Sequence, residues 1–131
     1  MDFLNKIFSQ PKLKDFYDFF IRFYAYISTG TDLITSLYEI AKYTKNKELK
    51  KSLLNITRYL DNGNSLADSF EKEKIFPKDM VATIRAGDES GTLETSVDAI
   101  KKSLKQEKKI YSKVRYVYYY AIFSIIGLTF A

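Results

Sequence analysis

Asp88 and Glu89 are adjacent carboxylates, with Glu94 one to two helical turns further on, in a 131-residue chain that has no cysteine and no histidine. The absence of both residues removes disulfides, thiolate ligands, imidazole bases and every Ser-His or Cys-His nucleophile. Carboxylates, lysine, tyrosine and hydroxyls remain as reactive groups, which argues against an ordinary hydrolase, and the chain reads as non-enzymatic and free of cofactors. Asp88, Glu89 and Glu94 offer oxygen ligands to a hard cation, but such sites want more carboxylates or carbonyls than this stretch supplies. Capping of exposed helix amides and complementing of a helix dipole explain the acids with fewer assumptions. Arg85, one turn earlier, is placed to form a surface ion pair with Asp88 or Glu89, an interaction of little energetic weight alone. Arg85, Asp88 and Glu89 are therefore partner-binding candidates before they are metal ligands.

These residues need a helix, a break and a second helix to position them. Pro77 suits a first turn, where its missing amide has no partner, and Phe76 before it can pack back onto the chain. Hydrophobic spacing predicts a helix over Pro77 to Ala86 that buries Met80, Val81 and Ile84. Gly87 is then expected to take the left-handed conformation that closes it, with Asp88, Glu89 and Ser90 capping the next helix. That next helix starts at Thr92 or Leu93 and carries Val97, Ile100 and Leu104 on one face.

The rest of the chain follows the same period. Leu13, Phe16, Phe20, Phe23 and Ile27 recur at steps of three and four, with Tyr17 and Tyr24 widening the stripe, until Ser28-Thr29-Gly30. Thr31 or Asp32 caps a second helix with Leu33, Ile34, Leu37, Tyr38 and Ala41 as its expected buried face, before a Thr44-Lys45-Asn46 link. A third helix holds Leu49, Leu53, Ile56 and Leu60, and stops at Asp61-Asn62-Gly63-Asn64. Ser65 starts a short fourth helix around Phe70. With 46% hydrophobic residues, two prolines and five glycines, the composition fits one packed helical domain and argues against disorder or a many-turned β fold. The expected fold is all-α, an antiparallel bundle of about six short helices over residues 13–112, preceded by a lead-in at 1–12. The surplus aromatics Tyr17, Tyr24 and Tyr26 exceed what so small a core needs, and predict an exposed face for a homodimer or a docking groove for another protein.

Charge is unevenly spread. The net charge is +5, yet Lys101 to Arg115 alone holds seven basic residues against Glu107. Tyr116 to Ala131 then has no charged residue. Sixteen helical residues span about 24 Å at ~1.5 Å each, short of the ~20 residues of a full crossing. Lys113 and Arg115, then Tyr116, Tyr118, Tyr119 and Tyr120, then an apolar run is the order expected where a helix enters a bilayer from its cytoplasmic side. Residues 113–131 are thus read as the start of a transmembrane helix. Stacking of those tyrosines on nucleic-acid bases is disfavoured because continuously apolar residues follow.

Phe76-Pro77, followed by Ile84-Arg85-Ala86-Gly87-Asp88-Glu89-Ser90-Gly91-Thr92-Leu93, resembles the Phe-Pro and Ala-Gly-Glu-x-Ser-Gly-x-Leu signature of the type II secretion F family. These are inner-membrane platform proteins of type II secretion and type IV pilus assembly, and the resemblance runs from roughly Phe16 to Ala131. Gly63-Asn64-Ser65-Leu66 is similar to a further family step. Asp88 stands where the family usually has Glu, and Tyr-Tyr where it has Tyr-Pro before the membrane helix. The resemblance implies the first cytoplasmic domain of a platform protein in the bacterial inner membrane. It also implies a cytoplasmic assembly ATPase, other inner-membrane assembly proteins and pilin or pseudopilin subunits as partners, with no nucleic acid. A different class, a small membrane-anchored helical adaptor or regulator, is the alternative.

Overall fold

The computed structural model describes residues 10–105, which form six α-helices and no strand. They are α1 (Leu13–Ser28), α2 (Leu33–Tyr43), α3 (Lys47–Asp61), α4 (Leu66–Lys72), α5 (Lys78–Ser90) and α6, residues 93–105. The expected all-α bundle is what forms. No helix among the described residues is long and apolar enough to cross a membrane. Residues 1–9 of the expected lead-in, residues 106–112 of the expected bundle and the membrane-entering segment with Lys113, Arg115, Tyr116, Tyr118, Tyr119 and Tyr120 fall outside those residues.

Short polar side chains start the helices. Asp32 accepts from the Thr35 N–H at 3.0 Å, Asn46 from Leu49 at 2.9 Å and Ser65 from Asp68 at 3.1 Å, each satisfying one amide that lacks an intrahelical partner. The Asp32 bond holds that carboxyl below its ordinary value of 3.8.

The core is built on phenylalanines. Phe19, Phe20 and Phe23 of α1 are buried; Phe19 and Phe23 meet Phe70 of α4, and Phe19 also meets Phe76 of the following link. Phe70 and Phe76 lie 4.6 Å apart between ring centres, Phe16 and Phe76 5.7 Å, and Phe19 and Phe23 stack at 5.3 Å. Such aromatic contacts add about 0.5–1.5 kcal/mol each beyond area burial. Leu37, Ile40, Leu53, Ile56, Ile84 and Val97 complete the interior. Phe19 belongs to this cluster although it falls outside the stripe of Leu13, Phe16, Phe20, Phe23 and Ile27.

The face of α2 differs from expectation. Ile34 and Tyr38 are 39% and 50% exposed, while Ser36 and Ile40 are buried beside Leu37 and Ala41. Ser36 tolerates burial because its hydroxyl donates to the Asp32 carbonyl at 2.7 Å, as Ser69 does to Ser65 at 2.7 Å. A hydroxyl satisfied within its own helix reads as surface in sequence and packs as core, which rotates the buried stripe. Tyr17, Tyr24 and Tyr26 also pack partly buried against the core. Among the described residues the exposed large apolar side chains are Leu13, Ile21, Ile34, Tyr38 and Tyr43 instead.

Candidate docking site

The break between α5 and α6 lies four residues later than the sequence predicted. Gly87 is helical and buried, α5 continues to Ser90, and Gly91 takes the left-handed turn with φ 72°. The Gly87 carbonyl accepts the Thr92 N–H at 2.9 Å, a closure of the helix end that only a residue tolerant of positive φ completes without strain. Gly87 has another task. A Cβ there would lie 2.6 Å from the Ser96 Cβ and 3.1 Å from the Leu93 Cα, so the missing side chain is what lets α6 press against α5.

The acidic residues consequently face backward. Asp88 accepts from the Ala67 N–H at 3.3 Å, capping the start of α4 and not the helix that follows it. Arg85 does not pair with Asp88 or Glu89. Its guanidinium reaches across to α4, with Nη1 3.0 Å from Asp68 Oδ1 and Nη2 2.5 Å from Glu71 Oε2. The Arg85 hydrogen bond, aided by the Ser65 hydroxyl, holds the Asp68 carboxyl below its ordinary 3.8, and the same bond raises the arginine. Sequence reasoning missed Asp68 and Glu71 because they are 17 and 14 residues away, and spacing along one helix cannot reveal them.

Glu89 remains exposed, and so does Glu94 beyond the turn. Among the described residues no group of three or more acids is arranged to hold a metal ion. With Asp88 turned to α4, the set Asp88, Glu89 and Glu94 is not brought together.

Glu89 lies on the rim of a groove of about 900 Å³ between α4 and α5. Phe76, Val81, Ala82 and Ala86 supply its apolar lining, and Glu71, Glu73, Lys74, Lys78 and Arg85 surround it. The α5 members recur at steps of three and four, so one helical stripe faces the groove. Glu73 Oε1 is buried without a hydrogen-bond partner among the described residues, a costly state for a polar atom. An amphipathic peptide segment fits these features better than a small polar substrate does, because the lining is apolar and the charges of both signs sit around it.

Comparison with known proteins follows the same residues. The profile of the family described as "Type II secretion system (T2SS), protein F" matches residues 19–131. The type IV pilus assembly protein PilC of Thermus thermophilus is 27% identical over 105 residues, covering 80% of this chain and 26% of that protein. The chain thus spans about a quarter of the length of this relative. It belongs to the type II secretion system protein F family.

Proposed function

We propose, from that membership, that this chain is a non-enzymatic platform domain of a type IV pilus or type II secretion machine at the bacterial inner membrane. It couples a cytoplasmic assembly ATPase to the addition of pilin or pseudopilin subunits. The groove between α4 and α5 is the observation that carries the reading: an apolar lining and a mixed-charge rim. The ATPase docks there. Glu89 is the contact residue among the three sequence candidates, since Arg85 and Asp88 already hold α4. Movement received at the groove passes through the α5–α6 contact at Gly87 and along α6 toward the membrane.

The mechanism is mechanical and needs no reacting group. A displaced α5 must carry α4 with it through the Arg85 and Asp88 bridges, and α6 through the tight approach at Gly87. Titration of the chain with its cognate assembly ATPase tests the reading. Saturable binding is expected, weakened about tenfold or more by Glu89→Lys, equivalent to ~1.4 kcal/mol, with the helical circular dichroism unchanged. No saturable binding at high micromolar concentration would reject it in favour of a membrane-anchored adaptor.

A further inference from the structure

The two ends of the bundle carry opposite charge. Around one cavity, Leu13 at the start of α1, Pro77 at the start of α5 and Leu104 near the end of described α6 come together. Around a neighbouring cavity Lys14 of α1 meets Tyr43 and Lys45, between α2 and α3. These termini form one end of the molecule. Its segments 10–14, 43–48, 73–79 and 102–105 carry eight lysines against three acids, Glu48, Glu73 and Asp79. The turns at the other end, segments 29–32, 61–65 and 88–94, carry five acids and no lysine or arginine. Lys12, Lys14, Lys45, Lys47, Lys74 and Lys78 are exposed, and none is in an ion pair among the described residues. Asp15, the nearest acid on α1, accepts the Lys12 N–H at 2.8 Å.

From this polarity we propose that the lysine-bearing end of the folded bundle seats on an anionic phospholipid surface. Charge is the first argument: six ammonium groups from three chain segments, none in an ion pair among the described residues, converge on one end, complementary to phosphate headgroups. Position is the second. Described α6 runs out of the molecule at this same end, and the sequence beyond it continues through Lys108, Lys109, Lys113 and Arg115 to the uncharged residues 116–131. Exposed Tyr43 (68%) sits among the lysines, the kind of side chain that settles at headgroup level. The bundle therefore stands upright, its Gly91 end and acidic turns directed away from the bilayer. The inference deepens the platform reading and rests on it in one respect, that the chain enters a membrane past residue 115.

Because the chain has no cysteine, single labelling sites are available by substitution. Tyr43→Cys and Asn62→Cys would each carry a fluorescent donor, separated along α3 by about 20 Å, with the 131-residue chain in vesicles bearing a headgroup acceptor. In phosphatidylglycerol-containing vesicles, energy transfer from position 43 is expected to be high and from position 62 low. In pure phosphatidylcholine, or at high salt, the difference should disappear. Lys45→Gln/Lys47→Gln should weaken the lipid-dependent seating by about tenfold. Equal transfer from both positions, or the same position-43 signal in neutral vesicles, would overturn the inference and leave the lysine end to an acidic protein segment. Co-flotation separates the two levels: a chain that floats with neutral vesicles but shows no positional difference defeats only this inference. One that floats with no vesicle defeats the membrane reading as well.

Discussion

Gly87 and Gly91 stand one helical turn apart and have different physical reasons to be glycine. Gly91 needs positive φ, whereas Gly87 needs an absent Cβ so that Ser96 and Leu93 can approach. Gly87→Ala should therefore cost about 1–3 kcal/mol by overpacking, and part of that loss should return when Ser96→Gly is added. Gly91→Ala should cost about 1–2 kcal/mol through backbone strain and show no coupling to Ser96→Gly. Urea denaturation of the single and double variants measures the difference. Sequence spacing points to Gly87 as the helix end, whereas the structure gives that task to Gly91. Choosing between them required knowing which one α6 touches, a tertiary contact that local spacing does not encode.

Asp68 gives a residue-level test in pH. Its carboxyl is lowered below 3.8 chiefly by the Arg85 hydrogen bond, so the stabilisation it provides is present above that value and lost as pH falls through the depressed folded value. Asp32 and Asp98 are lowered in the same sense by Thr35 and by Lys102 with Lys101. Stability should be level from about pH 7 to 5 and fall below about pH 4. In Arg85→Gln, carboxyl-carbon NMR should show the Asp68 midpoint moving up toward the ordinary value. An unchanged midpoint would deny the bridge to α4.

Among the elements, α4 depends most on its neighbours. It has seven residues, too few to be stable alone, and it is held by the Ser65 cap, the Asp88 carboxylate from α5, the Arg85 bridges and the burial of Phe70. Asp88→Ala should lower stability by about 1 kcal/mol, the usual worth of a capping group. Hydrogen exchange should speed up at the α4 amides, and the α2–α3 pair should be spared. Most elements were legible from sequence because caps and periodicity act locally: Asp32 and Ser65 start α2 and α4 where expected, and α1 ends at Ser28. The misplaced end of α5 and the rotated face of α2 share a cause. Both are decided by which surface a neighbouring helix offers, the first at Gly87 and the second at Ser36.

At the scale of the molecule, the family was legible from a signature whose parts turn out to be structural. Gly87 brings α6 close, Asp88 fixes the start of α4, Gly91 turns the chain, and Phe76 locks the aromatic core. The docking groove was less legible, since only Arg85 and Glu89 of its rim stood out in sequence, and Glu71 and Glu73 come from a different element. In the proposed mechanism α4, α5 and α6 are one rigid unit, because force received at the groove would pass beyond α6 only if the three move together. Native-state hydrogen exchange resolved residue by residue is the most direct test. The account predicts that core amides of α4, α5 and α6 open together with a single free energy, and that Gly87→Ala lowers all three by the same amount. Independent opening of α6, at a markedly lower free energy and indifferent to Gly87→Ala, would contradict it.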